Sequence, residues 1–337
     1  MNRLNRCVVI FLLGSQLFPF SGGQDSPSVA NKAAEYQVFT HSVIKAPKKT
    51  NQEGYKAVIP YEDGFLAAGS GGRIDRISSS GEITKSVTFP GENFNSLAYL
   101  GEAVIAGGNN GALMISSDNG LFRKVESGTN SNINSLTVFN GRIIAGGDHG
   151  EIITSEGRDS FEKIKPGLKG NIVSFSARKS ACYGVTDEGE IVHSVDGIKW
   201  DIMDFNQVYS GFYKPCYFTK VLVTENRIAI TGLRDDGSPV LMFSNQGRVW
   251  TERHLNYTNE QGFTDFLTGI PNDIFYDKPE DCYYLACSDG KLLKLPACSH
   301  CNKLEVLCRE NLEGISLRKN TLMAVGENFI IKTIDIR

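Results

Sequence analysis

A glycine-rich phrase returns along this chain every 39 residues, and that periodicity limits the fold more than any other feature. Residues 102–122, EAVIAGGNNGALMISSDNGLF, carry a short apolar strand (Val104, Ile105, Ala106) into a turn of glycines and asparagines. A second strand and a polar turn closing on an aromatic follow. Residues 142–161, RIIAGGDHGEIITSEGRDSF, repeat the phrase. Turn glycines Gly72, Gly111, Gly150 and Gly189 stand 39 apart, and the next two intervals, to Gly237 and Gly290, are 48 and 53. Seven copies can be counted, two of them enlarged by insertions.

A period near 40 residues holding four short strands is the signature of propeller blades. Short apolar or alternating runs between Gly, Asn and Asp turns specify antiparallel strands rather than helices. One such sheet cannot bury both of its faces alone, so successive sheets must stack about an axis. The expectation is an all-β, seven-bladed β-propeller of four-stranded antiparallel blades over residues 51–337. The chain offers seven sets of inner and middle strands but six outer ones. Residues 36–43 (YQVFTHSV), within a tail at 24–50, alternate as a strand does and are expected to complete the last blade, removing an open sheet edge.

Residues 1–23 read as a signal peptide. Arg3 and Arg6 precede an apolar run begun by CVVIFLL and ended by Pro19, and Ser21 and Gly23 are the small residues of a cleavage site. The run is shorter than the roughly 20 residues of a membrane span, so export is expected, with no membrane span in the mature chain. Loss of the two arginines leaves 33 basic against 38 acidic side chains, a formal −5, which argues against nucleic acid as a partner. A monomer is expected.

Seven of the eight cysteines survive cleavage, five of them between Cys282 and Cys308. In an oxidising compartment at least one disulfide is expected among Cys282, Cys287, Cys298, Cys301 and Cys308, with the odd count leaving one thiol unpaired. Cys298-Ser-His-Cys301 also has zinc-ligand spacing, with His300 inside it, but no second matching pair occurs. No nucleophile motif, phosphate loop or His-rich pattern stands out, so neither metal nor other cofactor is expected.

In a four-stranded meander, the turns after second strands and the links from outer strands to the next inner strands share one face. Both insertions root on that face. The first, residues 204–217, is rich in aromatics, and the second, residues 256–284, contains Tyr257, Phe263, Phe266, Phe275, Tyr276, Tyr283 and Tyr284. Long loops on one face of a rigid repeat are where binding concentrates. The candidate ligand anchors are Tyr209, Phe212, Tyr213, Tyr257, Phe263 and Phe266, rimmed by the acidic turn residues Asp148, Asp187, Asp235 and Asp236. Aromatics of this kind stack on sugar rings or peptide side chains, so the expected partner is a protein or a glycan. Aspartates in such turns also serve simply as turn formers.

The turns after third strands carry a resemblance. Residues 116–122 hold Ser116, Asp118 and Gly120, residues 194–200 hold Ser194, Asp196 and Trp200, and residues 244–250 hold Ser244 and Trp250 with Gln246 in place of the aspartate. These turns resemble Asp-box (BNR) repeats, in which Ser or Asp accepts backbone N–H bonds, Gly supplies positive φ, and the aromatic packs between sheets. The chain is similar to the photosystem II stability/assembly factor-like propellers and, more distantly, to the sialidase superfamily. The first resemblance implies an exported binding or assembly propeller without catalysis. The second implies a glycoside hydrolase, whose Arg-Ile-Pro motif is met here only by Lys56-Ala57-Val58-Ile59-Pro60. Lysine cannot reproduce the bidentate arginine clamp on a carboxylate.

Overall fold

The strands fall where alternation and the glycine turns place them. The computed structural model describes residues 52–116, 121–157, 160–297 and 302–336. Seven antiparallel sheets, each a meander in chain order, span residues 55–88, 94–124, 133–164, 172–204, 216–252, 271–306 and 312–335, here blades 1 to 7. Six carry four strands and blade 7 carries three among the described residues. The expected closing strand at 36–43 lies outside them.

Inner strands of successive blades pack one on the next around a circle, and that of blade 1 (Tyr55–Tyr61) packs on that of blade 7 (Leu312–Arg318). The chain is therefore a seven-bladed β-propeller. Second strands such as Gly64–Gly69, Ala103–Gly108 and Cys282–Cys287 are buried along their whole length, which explains their unbroken apolar character. The cores lie between blades: Leu66, Ala68 and Ile74 of blade 1 meet Phe94, Leu97 and Met114 of blade 2. Each such aliphatic side chain contributes about 1.5–3 kcal/mol when fully buried.

The periodic glycine has a local cause. Gly111 sits at φ 71°, and a Cβ there would stand 1.9 Å from the carbonyl oxygen of Thr129. In blade 7 the corresponding residue is Phe329, at φ 56°. Its ring packs edge-on against Tyr55 at 5.1 Å and lies under the Arg73 guanidinium at 4.8 Å. Tyr55 and Arg73 both donate to the fully buried Asp75, so the seam between the last and first blades is a packed polar cluster. Lys56–Glu313, at 3.6 Å, and Asn328 N–H donating to the Glu53 carbonyl also tie this seam.

A second periodic device links neighbouring blades. The residue before the inner strand is Asn93, Asn132, Asn171 or Asn311, and its side-chain oxygen accepts from a turn N–H of the preceding blade, respectively Gly71, Asn110, His149 and Asp289, each at 2.9 Å. Three of these asparagines donate through Nδ2 to the acid of their own blade's turn: Asn132 to Asp148, Asn171 to Asp187 and Asn311 to Glu327.

Two expectations need correction. The second insertion ends sooner than residue 284, because Pro271–Asp277 and Cys282–Cys287 are regular strands of blade 6. Phe275, Tyr276, Tyr283 and Tyr284 thus belong to the sheet, the last two buried. The expected disulfide is also missing among the described residues, where Cys182, Cys216, Cys282, Cys287 and Cys308 are all free thiols. Cys282 and Cys287 are an odd number of residues apart on one strand and so face opposite sides of it. Cys282 packs toward blade 7 with Leu312 and Ile315, and Cys287 toward blade 5 with Ala229 and Leu241. Cys298 and Cys301 lie outside the described residues.

Candidate functional site

The first insertion serves the fold before anything else. Asp204 accepts the Gln207 N–H and opens the short helix Phe205–Val208, which turns Phe205 into the core between blades 4 and 5. Tyr209 and Tyr213 stack on Phe205, with ring centroids at 4.7 and 6.0 Å. Their hydroxyls meet the backbone of blade 5's outermost segment: Tyr209 accepts from Trp250 N–H and donates to the Arg248 carbonyl, and Tyr213 donates to the Trp250 carbonyl. An outer strand leaves backbone groups unpaired, and here tyrosines cap them. Phe212 points away and is 82% exposed.

The second insertion is a hairpin, Asn256–Thr258 paired with Thr264–Phe266. Leu255 and Leu267 at its base are buried against Ile274, Tyr283 and Leu293, with Tyr257 packed beside them. Asn302 donates to the Asn256 carbonyl, holding the hairpin against blade 6's outer strand, Lys303–Val306. Phe263 and Phe266 are 70% and 67% exposed. Of six candidate anchors, the structure leaves three rings in solvent and turns three into packing.

The acidic turn residues are engaged inside the protein. Asp148 accepts from Asn132 and Asn134, and Asp187 from the N–H and side chain of Asn171. Lys214, on the first insertion, lies 2.8 Å from Asp236 and, with the Ser238 hydroxyl and N–H, holds that carboxyl well below the ordinary range. Asp235 N–H donates to the Pro215 carbonyl. The carboxyls of Asp148, Asp187 and Asp236 thus tie turns and loops, whereas Asp235 does so through its backbone and its buried Oδ1 has no hydrogen-bond partner among the described residues.

Near the axis, on the same face, lies a recess of about 490 Å³ that sequence reading did not single out. Its lining includes Glu53, Lys56, Asn93, Asn95, Asn109 and Asn134, from blades 1 to 3 and the approach to blade 1. Asn95 donates to Asn109 and to the Ile133 carbonyl, which fixes the amides in place. The Lys56 ammonium is buried and forms no hydrogen bond with the described residues, with the Glu313 carboxylate 3.6 Å away. The amides were legible as the spacing of Asn93, Asn132 and Asn171; Lys56 depends on a residue at the far end of the chain.

On the opposite face, the turn at residues 194–200 has the expected local geometry. Ser194 Oγ accepts the Gly197 N–H, and Asp196 accepts those of Ile198 and Lys199, each at 2.8 Å. Those backbone bonds, Lys199 first, hold the Asp196 carboxyl below its usual range. Trp200 packs on Phe175 at 5.4 Å, Ser244 accepts the Gly247 N–H, and Trp250 is buried between blades 4 and 5. Ser116 accepts the Val104 N–H, while Asp118 and Gly120 lie outside the described residues. Among the described residues no group of three or more His, Cys, Asp or Glu side chains could hold a metal ion, and no helix is long and apolar enough to cross a membrane.

No family model matches the chain, and no curated protein matches it. Among solved structures it is similar to one described as the crystal structure of the computationally designed Ika8 protein, with a TM-score of 0.56 and 12% identity over 85% of this chain and 97% of that one. Likeness at that identity shows the fold alone.

Proposed function

We propose that this chain is an exported, non-catalytic binding propeller of the Asp-box, assembly-factor-like kind, acting as a monomer and holding a glycan at the axis mouth of its loop face. The observation that carries the reading is the buried Lys56 ammonium, which lines a polar, amide-walled recess and finds no hydrogen-bond acceptor among the described residues. A buried donor left without a hydrogen bond costs about 1–3 kcal/mol, and ligand oxygens entering the recess recover it by meeting the ammonium alongside its Glu313 ion pair. Fixed amides offering both donors and acceptors suit the hydroxyls of a sugar.

The sialidase-like alternative calls for a cluster of arginines at this mouth. Lys56 is the cation of the recess lining, which contains no arginine, and so the lining favours binding over hydrolysis. A protein partner is the second reading, supported by exposed Phe212, Phe263 and Phe266 on neighbouring insertions.

The test replaces both members of the ion pair, Lys56→Met with Glu313→Leu, because removing one alone would strand a buried charge. Binding to neutral oligosaccharides on an array and in solution is expected to fall at least tenfold, with the thermal midpoint retained. Full binding by the double variant refutes the recess. A triple Ala replacement of the three phenylalanines that abolishes binding in its place transfers the site to the insertions.

A further inference from the structure

We propose that the face opposite the recess carries a second binding site, a groove across blade 5 that takes an anionic polysaccharide bearing uronate or sulfate groups. Two adjoining recesses, of about 530 and 410 Å³, share Arg227, Asn245 and Gln246 in their linings. One reaches toward blade 4 past Arg178 and Lys179, and the other follows residues 243–253 past Arg248 and Arg253.

This is a concentration of positive charge on a chain whose formal balance is −3. Most of the groove's cations differ from a number of those elsewhere in having no ion-pair partner among the described residues. Lys124, Lys163, Lys169, Lys214, Lys220 and Arg234 all sit in ion pairs. Among the described residues, Arg178, Lys179, Arg227 and Arg248 form none. Glu225, the acidic residue of the lining, pairs with Lys278 at 2.8 Å and also lies in the field of Arg178 and Lys179, so it offsets part of the groove's positive charge. Arg253 is committed to the Pro296 carbonyl and to Asn302, so it contributes field rather than a free fork.

The groove is preorganised around Arg227, whose guanidinium lies 5.1 Å above the Phe243 ring. A stacked guanidinium loses little freedom on pairing with a planar carboxylate, and it presents two parallel N–H donors to it. Between the cations stand Ser180, Thr224, Ser244, Asn245, Gln246 and Thr251, groups that exchange hydrogen bonds with hydroxyls. A protein interface would centre on apolar anchors, and the exposed one here is Val249. Charges spaced among hydroxyl-binding groups match a chain of acidic sugars.

The experiment measures binding of polygalacturonate to the full chain by calorimetry at low and moderate salt, with uncharged dextran, polyglutamate and single-stranded DNA in parallel. Polygalacturonate is expected to bind, more weakly as salt rises, with dextran inert and the other two polyanions at least tenfold weaker. Arg248→Glu with Lys179→Glu, both at exposed positions, is expected to reduce binding at least tenfold without moving the thermal midpoint. Arg227→Lys keeps the charge and loses the fork, and should give a smaller, several-fold loss. Equal binding of polyglutamate or DNA overturns the polysaccharide assignment, and undiminished binding by the charge-reversed variant overturns the groove. The Lys56→Met, Glu313→Leu variant should bind polygalacturonate normally, so failure of one site is distinguishable from failure of the other.

Discussion

Tyr209 and Phe212 stand three residues apart on one loop, and removing their side chains should have opposite consequences. The Tyr209 hydroxyl accepts from Trp250 N–H at 3.3 Å and donates to the Arg248 carbonyl at 2.9 Å. Two such bonds at about 0.5–1.5 kcal/mol each put Tyr209→Phe at roughly 1–2 kcal/mol, since the edge groups it leaves can partly turn to water. Tyr209→Ala also loses the ring stacked on Phe205 and tilted against Tyr213, raising the cost to about 3 kcal/mol. Phe212→Ala, at a ring 82% exposed, should stay within about 0.5 kcal/mol of zero. Urea unfolding at constant m-value resolves these differences, and the thermal midpoint should drop by roughly 2 °C or more per kcal/mol. Should Tyr209→Phe prove neutral while Phe212→Ala destabilises, the assignment of the loop's structural and free faces is wrong.

Three further outcomes are expected. Asn132→Ala removes the acceptor for Asn110 N–H and a donor to Asp148, joining blades 2 and 3, and should cost about 2–3 kcal/mol in denaturant unfolding. Glu151 should make the fold acid-sensitive: burial alone would raise its pKa, but hydrogen bonds from Thr129, Lys163 and Ser131 bring it down to about 2. A carboxyl lower in the folded than in the unfolded state stabilises above its ordinary pKa near 4.5, and this contribution disappears as pH falls toward 2. The melting temperature of Glu151→Gln should therefore fall less between pH 6 and pH 3 than that of the unaltered protein. Finally, burial pushes the Cys216 thiol up to about 11 and that of Cys287 to about 12, so neither should react with a thiol reagent at pH 8 until denaturant is added.

The blade count was legible because Gly111 and counterparts such as Gly72, Gly150 and Gly290 are forced by a steric contact that recurs with the turn, Phe329 of blade 7 being the exception. The Asp196 turn was legible for the same reason, its bonds lying within four residues. The packing of Tyr209 and Tyr213 was not legible because a tyrosine carries both an apolar ring and a polar tip, and sequence does not tell an edge cap from a ligand anchor. Cysteine crowding suggested a disulfide, yet the parity of Cys282 and Cys287 on one strand already set them on opposite faces. The recess escaped notice because Lys56 acquires its meaning from Glu313, brought alongside only when the ring closes.

The asparagine that precedes an inner strand reaches back to the turn of the blade before it, so a unit such as residues 93–131 brings one half of each of its two joints. Copied in tandem, that unit would find a matching half on either side, and excised it would leave its neighbours able to join each other. Pro215, Ile270 and Gly54 stand where blades 5, 6 and 1 would need the asparagine, and there Asn206, the hairpin insertion and the Phe329 seam take over. Gain or loss of a blade by duplication is thus open to blades 2 and 3, whose units carry both halves of the joint, and closed to the rest. Variants of this ring with a different number of blades should differ within residues 93–170 and keep the remainder intact.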